Sequence, residues 1–127
     1  MGLFYISEDA AEEHTPDRDE LVVLVAGGEL DHHASPRLRA CIAEHVHAGR
    51  RRVVVDLSAV TFIDSTAIGV LVGAAARLQE GGGGSVAAVC VDDNERVLRI
   101  FEIAGVDSVI TLYPSREEAL STPTTAG

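Results

Sequence analysis

The sequence predicts an α/β domain: a central, mixed but mostly parallel sheet of four to five strands, with helices mainly on one side. Three observations carry this. Short, wholly apolar runs rich in β-branched residues recur at Leu21–Ala26, Val53–Val55 and Val86–Val91, as in strands buried on both faces. Helix-compatible segments alternate with them, and alternation of this kind means parallel strands with helices laid against the sheet. At 127 residues the chain suits one domain, taken as residues 1–127.

The elements follow in order. Leu3–Ser7 (LFYIS) reads as a first strand at an edge, with a start near His14 as the alternative. Residues 8–20 carry seven acidic side chains and one arginine; such a stretch cannot bury enough apolar surface to order itself, and a solvated loop is expected. Leu21–Ala26 is a buried strand that Gly27 and Gly28 end. Ser35 caps a helix whose first turn holds Pro36. Leu38, Cys41, Ile42, His45 and Val46 share one face of it at spacings of three and four, and Gly49 stops it. Arg50–Arg52 are expected as solvated loop charges.

Val53–Val55 is the central strand, and Asp56 and Ser58 break it into a loop. Phe62 and Ile63 return the chain to the core. Asp64, Ser65 and Thr66 are all residue types that cap helices. The segment that follows, to about Gln79, is apolar on nearly every face, so it packs tightly against the sheet. Ser65 thus stands where a buried strand hands over to a buried helix, either as the cap or as a site where phosphate is electrostatically favoured. Gly81–Gly84 form a turn, Val86–Val91 a strand, and Asn94–Ala104 a helix that Gly105 ends. Val109–Tyr113 is a last strand, Ser115–Glu118 has capping-box spacing for a short final helix, and residues 121–127 form a flexible tail.

Composition excludes several chemistries. All ten basic side chains other than histidine are arginine. Without lysine, Gly81–Gly84 is no phosphate-binding loop of the Walker type, and Schiff-base catalysis is ruled out. The receiver-domain reading fails for the same reason. Ser65 lacks the flanking glycines of a hydrolase nucleophile elbow, and no two of the five histidines have the spacing of a helical zinc site. No catalytic residue, metal or cofactor is therefore expected. A net charge of −10 disfavours nucleic acid and anionic membranes. No apolar run approaches the roughly 18 residues of a membrane span, and no secretion-signal pattern is present, so a cytoplasmic protein with reduced Cys41 and Cys90 is expected.

Two segments together resemble a known family. Gly28-Glu29-Leu30-Asp31-His32-His33, followed by Val55-Asp56-Leu57-Ser58 leading to Asp64-Ser65-Thr66-Ala67-Ile68-Gly69, resemble a STAS domain. The likeness is to the anti-sigma factor antagonists of bacterial partner-switching pathways, the sporulation type in particular, and it covers about residues 21–120. It implies phosphorylation at Ser65, with Asp31 as a close neighbour. It implies a partner-binding surface of Asp31, His32, Asp64, Ser65, Thr66 and Ile68. The implied partners are an anti-sigma factor kinase of the GHKL type and a metal-dependent Ser/Thr phosphatase. The unmodified protein would capture the kinase and release a sigma factor. The alternative within the family is a scaffold or sensor module that binds other STAS proteins or a small ligand. Two departures stand out: Ala67 occupies a position where the family often has glycine, and the acidic stretch lengthens the entry to the Leu21 strand.

Overall fold

The apolar runs pair as parallel neighbours. In the computed structural model, which describes residues 3–9 and 20–121, Val22, Val53 and Val86 lie side by side on adjacent strands. The elements are β1 (Phe4–Asp9), β2 (Leu21–Leu30), α1 (Ser35–His47), β3 (Arg52–Ile63), α2 (Ser65–Glu80), β4 (Ser85–Val89), α3 (Glu95–Ala104), β5 (Thr111–Tyr113) and α4 (Arg116–Ser121). The five strands stand in the order β1-β2-β3-β4-β5, with β1 antiparallel to β2 and every other pair parallel.

This order places the helices. The three crossovers step across the sheet in one direction, and crossovers of one hand then put α1, α2 and α3 on the same face. Their residues Leu38, Ile42, Leu71, Leu78, Val97 and Phe101 pack on Val22, Leu24, Val53, Val55, Val86 and Ala88. The intervening residues Leu21, Val23, Val54, Ala87 and Val89 face the other way and meet Ala119 and Leu120 of α4. The period of two in a strand decides this sorting.

Four features depart from expectation. β2 does not end at Gly27 and Gly28; it runs on to Leu30 with register shifts between Val25 and Gly27 and between Gly28 and Glu29. Gly28 has φ +81°, and a Cβ there would sit 2.1 Å from the Leu3 carbonyl oxygen, so only glycine lets β1 pair across the bulge. β3 does not break at Asp56 and Ser58 but continues for 12 residues. Asp56 is tolerated because Arg116 of α4 reaches its carboxylate at 2.9 and 3.1 Å. Burial acts to raise the Asp56 pKa, but the Ser58 hydroxyl and N–H together with Arg116 outweigh it and hold the carboxyl below its ordinary value. Finally, Arg52 is no solvated loop charge. It is 3% exposed within β3, and its guanidinium donates to the Ala119 carbonyl. Glu8 and Asp9 belong to β1 rather than to the expected loop at 8–20, and Asp9 ion-pairs with Arg116 at 2.6 Å. Of the rest of the expected loop Glu20 is exposed and residues 10–19 lie outside the described residues; of the expected tail at 121–127, Ser121 ends α4 and residues 122–127 lie outside the described residues.

Candidate functional site

The site forms where β2 and β3 end together. Leu30 and Ile63 are register partners, and the Asp64 N–H donates to the Leu30 carbonyl at 3.2 Å. The loops carrying Asp31 and Asp64 therefore leave the sheet side by side. The GELD segment and the DST segment, 33 residues apart at Leu30 and Ile63 in sequence, become neighbours only through this parallel pairing.

The Asp31 loop is a tight turn built by its own aspartate. The carboxylate accepts from the N–H groups of His33 (2.9 Å) and Ala34 (3.2 Å). The Asp31 carbonyl accepts from the Ala34 and Ser35 N–H groups and from the Ser35 hydroxyl. Asp31, not Ser35, thus organises the start of α1; Ser35 is already helical and is 2% exposed. Slight desolvation acts to raise the Asp31 pKa, but the Ala34 and His33 amides, then His33 and His32, prevail and hold it below the ordinary carboxylate value. The side chain is a fixed anion at neutral pH. His32 and His33 are exposed and stack with ring centroids 4.1 Å apart.

The second loop settles the cap of α2. Asp64 is the N-cap: its backbone is extended (φ −110°, ψ 177°), and its carboxylate accepts from the Ala67 N–H at 3.0 Å. Ser65 is therefore the first helical residue and not the cap. It is exposed, as is Thr66, and no described residue hydrogen-bonds its hydroxyl. The hydroxyl stands free at a helix N-terminus, with the Asp64 carboxylate beside it and the Asp31 turn on the adjoining strand end.

Of the six residues expected on a partner surface, Asp31, His32, Asp64, Ser65 and Thr66 come together at this end of the sheet. Ile68 does not join them. It is 3% exposed and packs into the core on the inward stripe of α2, Ala67, Ile68, Leu71, Ala74, Ala75 and Leu78, whose spacings of three and four keep them on one face, whereas Ser65 stands off that stripe at the exposed helix start. Ala67 is fully buried for the same reason. Phe62 corrects the reading in the other direction: placed in the core by its apolar side chain, it is 38% exposed beside Glu29 at the end of β3. Tyr5 and Leu3 are also exposed at this end, with the Tyr5 ring lying over Gly27, where a Cβ would come within 2.3 Å of it. Only the strand pairing reveals this apolar margin; the signal in the sequence is a Phe next to Ile63 in a strand that needs just one of them inward. Among the described residues no three His, Cys, Asp or Glu side chains gather to hold a metal ion.

Comparison with known proteins gives the same frame. A model of the STAS domain family matches residues 13–119. The chain is 29% identical over 102 residues to an anti-sigma F factor antagonist of Paenibacillus polymyxa, covering 80% of this chain and 85% of that one. It is 31% identical over 98 residues to an anti-sigma-B factor antagonist of Listeria monocytogenes, covering 76% and 81%. The crystal structure of an anti-sigma factor antagonist from Mycobacterium paratuberculosis superposes with a TM-score of 0.74 at 26% identity, over 92% of each chain.

Proposed function

Because the chain belongs to the STAS domain family, we propose that it is an anti-sigma factor antagonist switched by phosphorylation of Ser65. In this reading the unphosphorylated form binds an anti-sigma factor kinase of the GHKL type and frees a sigma factor in the cytoplasm. Phosphorylation ends the binding, and a metal-dependent Ser/Thr phosphatase restores it. The protein acts by binding and is the substrate of an enzyme, not an enzyme itself. The binding surface is Asp31, His32, Asp64, Ser65 and Thr66. The observation that carries the reading is the free Ser65 hydroxyl: Asp64 does the capping, which leaves an exposed serine with no structural duty between two acidic loops.

The energetics suit a switch. A phosphate adds about −1.5 to −2 charges at neutral pH. The helix N-terminus offsets this by about 0.3–1 kcal/mol. A carboxylate about 5 Å away opposes each added charge by roughly 3 kcal/mol at an effective dielectric of about 20. A docked partner that excludes water enlarges that penalty. A few kcal/mol is about a hundredfold in affinity, so no rearrangement of the fold is required.

The test is a titration of wild type, Ser65→Ala and Ser65→Asp against candidate anti-sigma factor kinases at fixed salt, with mass spectrometry after addition of ATP. Ser65→Ala should bind as wild type does and take up no phosphate. Ser65→Asp should bind at least tenfold more weakly, and Asp31→Asn should soften that loss. If Ser65→Asp binds as tightly as wild type and the phosphate falls on Thr66 or nowhere, the assignment is wrong.

A further inference from the structure

The stretch of β3 that delivers Ser65 is held unevenly on its two sides. β4 stops level with Asp56, the partner of Val89, whereas β3 runs on to Ile63. Ala59–Ile63 therefore pair with β2 alone, across the register shift between Gly28 and Glu29. The Thr61 hydroxyl adds a bond to the Gly28 carbonyl at 3.3 Å on that same side. The β4 neighbour that holds the first half of β3 does not reach this half.

Asn94 takes its place. It stands where the chain has left β4 and enters α3, and its Nδ2 donates to the Val60 carbonyl at 2.7 Å. Its Oδ1 accepts from the Val97 N–H at 3.4 Å and caps α3. Val60 is 2% exposed and shares the core with Val97 and Phe101 of α3. The Asn94 N–H donates to the Val91 carbonyl at 2.9 Å, which fixes the loop that carries it. One side-chain amide thus ties the start of α3 to the part of β3 that leads into Ser65.

Capping alone does not call for asparagine. Aspartate and serine cap about as well, and aspartate caps α2 in this same chain. Asparagine adds a donor beside its acceptor. An ionised carboxylate has no donor and would set a charged oxygen against the Val60 carbonyl oxygen. Residue 94 is the one type of good cap that can serve both partners.

We propose that Asn94 is a positioning residue for Ser65: through Val60 it sets where the junction of β3 and α2 places the hydroxyl for phosphoryl transfer. This rests on the Ser65 reading above. In that transfer the bond from Ser65 Oγ to the γ-phosphorus of ATP forms, the bond to ADP breaks, and the hydroxyl proton is released. Such a step depends on alignment, and a misplacement of about 1 Å costs on the order of 10²-fold.

The experiment compares the full chain with Asn94→Asp, Asn94→Ser and Asn94→Ala. Aspartate and serine keep the cap and lose the amide donor, and serine does so without adding charge; alanine loses both. Hydrogen exchange read by NMR should show the amides of Thr61–Asp64 exchanging at least about threefold faster in all three variants. The Val97 and Leu98 amides should change only in Asn94→Ala. With an anti-sigma factor kinase and ATP, kcat for Ser65 phosphorylation should fall about tenfold in Asn94→Asp and Asn94→Ser, with KM within about twofold of wild type. A merely structural loss would behave otherwise: a smaller folded fraction lowers the effective substrate concentration, which raises KM and leaves kcat alone. Wild type that takes no phosphate from any kinase would overturn the Ser65 reading on which the proposal rests. Wild type that does, with both capping variants turned over at its kcat or with exchange at Thr61–Asp64 unchanged, would overturn the role of Asn94 alone.

Discussion

Replacing Arg116 by alanine should destabilise the fold by about 2 kcal/mol at neutral pH. Arg116 is the sole described partner charge of Asp56, whose side chain is 9% exposed, at 2.9 Å. Removing one member of a fully buried pair costs about 3–5 kcal/mol, because the other charge stays buried and unpaired. Here the Arg116 side chain is 36% exposed, and the Ser58 N–H at 2.9 Å still holds the carboxylate, so the lower figure of about 2 kcal/mol applies. The contact of Arg116 with Asp9, which is 49% exposed, adds at most about 0.5 kcal/mol. For a chain of this size about 2 kcal/mol corresponds to a fall of roughly 7 °C in Tm. The sign with pH follows from Asp56. Its folded-state pKa lies below the ordinary value, so the stabilisation is present above that value and is lost as pH falls through the folded pKa, below about pH 4. The deficit of Arg116→Ala should therefore be full at pH 7 and shrink toward pH 3. Urea unfolding at several pH values and fixed salt measures it. The double variant Asp56→Leu/Arg116→Met should recover most of the loss, since an apolar pair leaves no stranded charge. A variant as stable as wild type at pH 7, or a deficit that does not change with pH, would refute the argument.

Two further outcomes are expected. Asp64→Ala should cost about 1 kcal/mol by removing the α2 cap, while Asp64→Asn should stay within a few tenths because its amide oxygen still accepts from Ala67; equal losses in urea unfolding would mean that charge, not capping, is what Asp64 contributes. The two free thiols should differ in alkylation by iodoacetamide. Cys90 is 2% exposed, and burial together with the charge of Asp92 pushes its thiol pKa up, whereas Cys41 is half-buried, so Cys41 should react first and Cys90 only on unfolding.

Much of this fold is legible without coordinates, because its strands and helices are specified by short-range chemistry. The apolar, valine-rich runs at 22–25, 53–55 and 86–91 announce strands, and β4 takes up the last of them as far as Val89. Gly49 and Gly105 end their helices where φ of +99° and +65° is needed. Asn94 and Ser115 cap theirs by accepting from Val97 and Glu118. The site's two halves are legible as well, but through the family resemblance that joins GELD to DST, not through the strand signal, which stopped at Gly27 and Gly28.

What the chain could not disclose locally is whatever a distant residue decides. Asp56 looks like the end of a strand until Arg116, 60 positions away, neutralises it. Arg52 looks solvated until α4 offers it the Ala119 carbonyl. Gly27 and Gly28 look like a stop signal until Tyr5 and the Leu3 carbonyl occupy the space their missing side chains leave. Asp64, Ser65 and Thr66 are equally good caps by composition; the hydrogen bond from the Asp64 N–H to Leu30 belongs with Asp64 as the last extended residue, and so leaves Ser65 free. The orientation of Ile68 and Phe62, one in and one out, follows from the same junction. Residue type and spacing determine which elements form, because those preferences act within a turn or two of chain. Which polar group may be buried, and which apolar one must face solvent, is decided by partners that only the folded sheet brings within reach.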